Sequence, residues 1–272
     1  MALAKETIGN YEGTGSTVDL PGRVEVLGAP VDPWTMGQTV EATDALIKEG
    51  RFAHLIGVNA DKLLQMRDDP EMDACVRRCE IVNADGASMV MAARKLGVDL
   101  PGRVAGIDLM WELCGLAERE GHSVYLLGAK AEVVAKTAEV LSERYPNMVL
   151  AGYRDGYFGE DEFDAVVAEV EQAEPDIVFV GITSPKKERL IERFRELGAK
   201  GAFVGVGGFV RRGLRQHPAR PDVDAAREPG VALPHDAGAQ APGEALRGRQ
   251  HPFLHASPQG VKEEQGQWIR RK

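Results

Sequence analysis

From Val124 onward, short apolar runs alternate with amphipathic stretches. Val124 to Leu127, Val149 to Tyr153, Ile177 to Val180 and Ala202 to Val206 are strand-length, and between them lie Glu132 to Arg144, Glu162 to Gln172 and Lys187 to Leu197. Strands that are apolar throughout must be covered on both faces, and helical crossovers do that for a parallel sheet. The same rhythm extends upstream. A short strand is expected at Val24 to Leu27, followed by a GAPVD loop and a helix from Thr35 to Glu49. Phe52 to Val58 reads as a strand, Asp61 to Met66 as a helix broken at Asp68-Asp69-Pro70, and Met72 to Cys79 as its resumption. Ile81 begins another strand, Ala87 to Leu96 a helix, and Ile107 to Glu120 a helix that ends at Gly121, as a terminal glycine permits. The expected fold is α/β, a Rossmann-like and mostly parallel sheet with helices on both faces, over residues 23–208. Residues 1–22 read as a loose leader. From 209 to 272 the chain is crowded with Pro, Gly, Arg, His and Gln and loses all periodicity, which implies an irregular, disordered tail.

Composition narrows the classes. The chain has 272 residues, with Lys+Arg 33 against Asp+Glu 42 and a net charge of -9. That balance argues against a general nucleic-acid binder, and a local basic patch remains compatible with it. No run approaches a transmembrane span and the first residues lack a long apolar core, so a cytoplasmic location is expected. Cys75, Cys79 and Cys114 form no disulfide framework and point to a reducing compartment. Cys75 and Cys79 are one helical turn apart, but no second pair completes a zinc site, so they read as structural and no metal is expected.

The chemistry centres on Ile81 to Val90. An apolar strand end runs into Asn83-Ala84-Asp85-Gly86, which places a carboxylate at the carboxyl end of a strand, where open α/β sheets hold their ligands. Asp85 is the candidate base; its alternative role is to cap the following helix. Gly128, Gly181, Gly205, Gly207 and Gly208 sit at or just past strand ends, where glycine permits close approach of a ligand but also serves tight turns. Ser184-Pro185-Lys186-Lys187-Glu188 begins a helix. Ser184 and Glu188 suit capping roles and Pro185 the first turn, whereas cations at a helix start run against its dipole unless an anion offsets them. The Arg154 to Phe158 turn offers an aromatic for stacking on a base. His54 and His122 read as structural edge residues and Trp34, Trp111 and Tyr125 as packing. GxGxxG, Walker A and GxSxG patterns are absent, which lowers dehydrogenase, P-loop and serine-hydrolase readings.

In this order and spacing, VNADG, RVAGIDL, VYLLGAK, DGYF, VGITSPKKE and GVGG resemble the WecG/TagA/CpsF family of bacterial glycosyltransferases (glycosyltransferase family 26). The resemblance covers about residues 24 to 208. It implies transfer of N-acetylmannosamine or a related sugar from a UDP-sugar to a polyprenyl-diphosphate-linked N-acetylglucosamine at the inner membrane surface. Inversion is implied, in the synthesis of teichoic acid, common antigen or exopolysaccharide, with no cofactor and no metal. Oligomeric state is left open, a homo-oligomer included. By matched position, Asp85 is the implied base and Asn59 a polar residue near it, with Asn59 and Asn83 implied substrate contacts. Arg103, Gly128, Gly181, Ser184, Lys186, Lys187, Glu188 and Gly207 are implied contacts for the substrates, with Tyr157 near the nucleotide. Gly57 stands where the family usually has Thr or Ser, and Lys187 where it usually has Gln.

The tail departs more. The family continues GVGG with SFD and a basic, aromatic-rich, membrane-associating appendage, whereas here Phe209-Val210-Arg211-Arg212 follows. Permitted codons for this stretch, read one base later, spell SFDVASGN and continue to a stop falling across Val261 and Lys262. A one-base shift near codon 208 explains the tail, and impaired transferase activity is then expected. The alternative is an inactive nucleotide-sugar-binding module.

Overall fold

The computed structural model describes residues 20–207. The proposed leader, apart from its last residues, and the proposed tail lie outside the described residues. A six-stranded sheet has the order β4-β3-β8-β7-β5-β6, all pairs parallel. The strands are β3 (Phe52–Val58), β4 (Ile81–Ala84), β5 (Ser123–Gly128), β6 (Val149–Arg154), β7 (Ile177–Gly181) and β8 (Gly201–Gly205). The helices are α1 (Met36–Lys48), α2 (Ala60–Asp68), α3 (Pro70–Arg78), α4 (Ala87–Lys95), α5 (Gly106–Glu120), α6 (Ala131–Arg144), α7 (Phe163–Gln172) and α8 (Lys186–Glu196). The expected α/β architecture is the observed one. Among the described residues, no helix is long and apolar enough to cross a membrane.

Alternation along each strand divides the core. Ala53 and Leu55 of β3, Val124 and Leu126 of β5, and Ile177 and Phe179 of β7 face α1, α5 and α6. Tyr125, Leu127, Val178, Val180 and Phe203 face α7 and α8. Ile56, Val58, Val82 and Ala84 join residues of α2, α3 and α4 in a third cluster. Phe203 is fully buried between Phe52 and Phe194, with ring centroids 4.9 and 4.7 Å away. Burial of such a side chain contributes about 1.5–3 kcal/mol.

Helix starts follow local chemistry. Thr35 and Gln38 form a reciprocal capping box at α1, each side chain accepting from the other's backbone N–H, at 3.2 and 2.9 Å. Asp69 caps α3 and Pro70 occupies its first turn, so the expected helix break is the start of a second helix.

The expected GAPVD loop is different in the structure. β1 (Val24–Val26) pairs antiparallel with β2 (Ala29–Val31) through a two-residue turn, Leu27-Gly28, with φ of 54° and 84°. Positive φ at both central residues matches the twist of paired strands. Asp32 anchors this hairpin to β4: it accepts from the Arg23 guanidinium at 2.8 and 2.9 Å and from the Val82 N–H at 2.7 Å.

β5 leads outward to β6, while β7 leads back toward β8 through a helix on the opposite face. The gap between β5 and β7 is therefore a topological switch point. There Gly128 and Gly181 are paired neighbours. Gly128 has φ of 136°, and a Cβ on it would come within 2.5 Å of the Gly181 carbonyl carbon. Gly128→Ala is expected to destabilise the fold by about 1–3 kcal/mol, the usual range for overpacking, as read from the urea midpoint at unchanged m-value.

Candidate active site

Asp85 follows β4 and is partly exposed. Its backbone N–H donates to the Val58 carbonyl at 2.9 Å, fixing it at the tip of β3. The Val104 N–H donates to the Ala84 carbonyl, also at 2.9 Å, which draws the start of α5 alongside. The Gly106 N–H, in the first turn of α5, then serves the Asp85 carboxylate. Burial pushes the Asp85 carboxyl above its ordinary value, and Asp108 adds to that. The Gly106 amide, Arg103 and Lys187 pull the other way. Asp85 does not cap α4, whose N-cap is Gly86 without a side-chain hydrogen bond.

Glycines make this placement possible. A Cβ on Gly57 would lie 2.7 Å from the Asp85 Cβ, so Thr or Ser at that position would require Asp85 to shift. A Cβ on Gly106 would meet the Gly205 carbonyl at 3.2 Å, and one on Gly205 would meet the Lys187 Cε at 3.0 Å. The tips of β3, β4 and β8 and the starts of α5 and α8 thus converge. The chain leaves the described residues at Gly207, on this same edge and with open space at its Cα.

Lys187 brings the cation into this cluster. Burial pushes its pKa down and neighbouring Lys62 adds to that, against the opposing pull of Glu188 and Asp85. Glu188 is buried and accepts from the Lys62 ammonium at 2.9 Å. Burial would raise the Glu188 carboxyl, but Lys187, Lys62 and Ser184 hold it below its ordinary value. Its Oε2 is buried without a hydrogen-bond partner among the described residues. Lys62 also donates to Ser184 Oγ at 2.8 Å and to Gln65 at 2.9 Å, and Ser184 donates to Gln65 at 2.8 Å. Ser184 therefore does not cap α8, and Glu188 completes no capping box. Both are committed to a bridge between α2 and α8, because Lys62 reaches across to them. Lys186 bends back to the Phe158 carbonyl and lies over the Phe158 ring, 4.1 Å from its centroid.

The other expected site residues divide. Asn59 caps α2 by accepting from the Lys62 N–H at 3.0 Å, and its Cβ lies beside Gly86. Arg103 is exposed and pairs with Asp108 at 3.1 Å near Asp85. Asn83 is buried, accepting from the Thr39 hydroxyl at 3.1 Å, which ties β4 to α1. Gly128 and Gly181 lie at the switch point, where their lack of side chains is taken up by backbone packing. Tyr157 is 73% exposed in the β6–α7 loop, while its neighbour Phe158 is buried. His122 donates from Nε2 to the Asp44 carboxylate at 2.8 Å, which ties it to α1. His54 is not an edge residue: it is fully buried on β3, facing α3 and α8. A groove of about 440 Å³ between α3 and α8 shares Pro185 and Glu188 with the Ser184 loop but is not lined by Asp85. Sequence reasoning missed Lys62, Gly57 as a partner of Asp85, and Gly106 as a donor. The RVAG stretch before Ile107 was the available signal for Gly106.

A half-buried carboxylate of raised pKa, a helix start and a nearby lysine form a site suited to proton abstraction beside an anionic ligand. The chain matches the model of the glycosyl transferase WecG/TagA/CpsF family over residues 24–212. It belongs to that family, a class of glycosyltransferases that act in cell-surface polysaccharide synthesis.

The Lys62–Glu188 bridge gives a stability test. Lys62→Met leaves Glu188 buried with only Lys187, 3.7 Å away, as its neighbouring cation. It should cost about 3 kcal/mol, the lower end for breaking a buried pair. Adding Glu188→Leu should recover most of that loss in chemical denaturation, since the orphaned charge is then gone.

Proposed function

We propose that this chain transfers N-acetylmannosamine, or a related sugar, from a UDP-sugar to a polyprenyl-diphosphate-linked N-acetylglucosamine, with inversion. The observation that carries the proposal is the placement of Asp85 at the strand tips, with its carboxyl raised by burial and Lys187 close by. The acceptor hydroxyl oxygen attacks the anomeric carbon from the face opposite the UDP oxygen. As that bond forms, Asp85 takes the hydroxyl proton and the sugar–UDP bond breaks with its electrons passing to the diphosphate. A base whose pKa lies closer to the working pH takes the proton with less loss of driving force. The developing diphosphate charge is met by Lys187, Arg103 and the amides at the start of α5. Gly128 and Gly181 place the nucleotide half of the donor at the switch point, with Tyr157 offering its exposed ring to the base. A membrane-anchored acceptor requires action at the inner membrane surface.

The sequence after Gly208 lacks the family's SFD and its basic appendage, and on this proposal turnover is slow while donor binding is retained. A catalytically silent nucleotide-sugar-binding module is the competing outcome. Calorimetry with UDP and the UDP-sugar, then transfer of labelled sugar to the lipid acceptor, separates them: binding without Asp85-dependent transfer supports the module.

Asp85→Asn is expected to lower transfer by about 10²–10⁴-fold while leaving UDP affinity unchanged. Its effect on stability has the opposite sense. A carboxyl whose folded pKa is raised contributes stability below its unfolded pKa of about 3.9 and loses it as pH rises through the folded value. At neutral pH the ionised group is a burden to the fold, so the Asn variant should melt at the same temperature or higher. The acid limb of kcat/KM should accordingly lie above the ordinary Asp value. Transfer at the native rate by the Asn variant would remove Asp85 from the mechanism.

A further inference from the structure

Away from Asp85, on the face of β3 that meets α3 and α8, a second cluster has no part in the transfer. His54 on β3, Cys75 in the last turns of α3 and Cys79 at its C-terminal cap are all buried. One ligand atom from each lies within 4.8 Å of the others. Glu192 of α8 adds a carboxylate oxygen 3.6 Å from the His54 Nδ1. Neither ring nitrogen of His54 has a hydrogen-bond partner among the described residues, although the ring is fully buried. A buried imidazole with both nitrogens unmatched is costly to the fold unless something else binds it. In tetrahedral zinc sites, bond lengths of about 2.0–2.3 Å put ligand atoms roughly 3.3–3.8 Å apart. The His54, Cys75 and Cys79 ligand atoms, within 4.8 Å of one another, need to close by about 1 Å, and the Glu192 carboxylate, 3.6 Å from the His54 Nδ1, must turn toward the sulfurs.

We propose that His54, Cys75 and Cys79 form a structural zinc site that pins β3 to α3, with Glu192 of α8 swinging in from beside the His54 ring as the fourth ligand. Two sulfurs, an imidazole and a carboxylate suit a borderline-soft ion that accepts four ligands in tetrahedral geometry, which is Zn²⁺ rather than an oxygen-seeking cation. Binding exchanges the two thiol protons, and any proton on His54, for the metal, and these protons pass to solvent. Two thiolates and one carboxylate against a divalent cation leave one negative charge. Arg78 at 2.9 Å and Arg195 at 3.4 Å from Glu192 are placed to meet it. The α3–α8 groove is lined by Cys75 and Glu192 and supplies a route in from solvent. Because α8 also carries Lys187 and Glu188, the clamp fixes a helix of the transferase site without touching substrate.

The test uses the full chain, reduced and stripped with a chelator, then titrated with Co²⁺ and afterwards Zn²⁺. The expected result is one equivalent of Co²⁺ with thiolate-to-cobalt charge-transfer and tetrahedral d–d absorption, displaced by Zn²⁺. Zinc should also raise the melting temperature and slow alkylation of Cys75 and Cys79 but not of Cys114. Cys75→Ser and Cys79→Ser should each weaken binding by at least about 10-fold, the smallest loss seen even for groups that only support a ligand. Cys114→Ser, in a different part of the core, should bind as the native chain does. With three cysteines in the chain, thiolate absorption that survives loss of Cys75 and Cys79 would overturn the proposal. So would the absence of thiolate absorption at stoichiometric metal, or zinc that leaves the alkylation rates of native Cys75 and Cys79 unchanged; these readings do not depend on any variant folding.

Discussion

The geometry of the site depends on how Asp85 is seated. Its backbone N–H is taken by Val58, its Cβ lies over Gly57, and its carboxylate meets the Gly106 amide at the start of α5. With β4 itself these are three chain segments, and a parallel sheet is what brings them to one edge. Every strand ends at the same side, so loops far apart in sequence meet at the carboxyl tips. The constraint also works in reverse. With no room for a Cβ at position 57, this position of the carboxylate is tied to glycine there. A Thr or Ser there would move the carboxylate.

Charge in the site is handled by partial compensation. Lys62 neutralises Glu188 deep in the α2–α8 seam, where neither would be stable alone. Lys187, the adjacent residue, is left nearer to Asp85, with 3.7 Å to Glu188. A lysine with no acid nearby would be driven neutral by burial. One carboxylate is thus shared unequally between two lysines, the inner one at 2.9 Å and the outer one at 3.7 Å.

Much of the fold was legible because it is local. The strand Phe52–Val58 has its expected bounds, Thr35 and Gln38 announce α1, and Gly121 ends α5 in the left-handed region at φ of 80°. The β1–β2 hairpin was not legible, since Gly28 and Pro30 are loop residues by composition and the pairing depends on positive φ at Leu27. In the candidate site, Asp85 and its glycine-marked strand end could be read, because position at a strand tip is a local property. Lys62 could not. It lies on a helix of largely polar sequence, and it becomes buried through partners more than a hundred positions away. The same long-range contact withdrew Ser184 and Glu188 from the capping roles their local sequence suggests.

The two cysteines show where reading by spacing stops. A pair one helical turn apart says nothing of a third ligand, and a histidine on a strand upstream carries no mark of where its ring points. Only the packing of α3 and α8 against β3 brings Cys75, Cys79 and His54 together and sets Glu192 beside the His54 ring. α8 is thus tied at its first turn through Glu188 to Lys62 and along its length through Glu192 to His54. A helix held at two points by buried polar contacts cannot pivot freely about either. Lys187, in the first turn of the same helix, is thereby held in place toward Asp85.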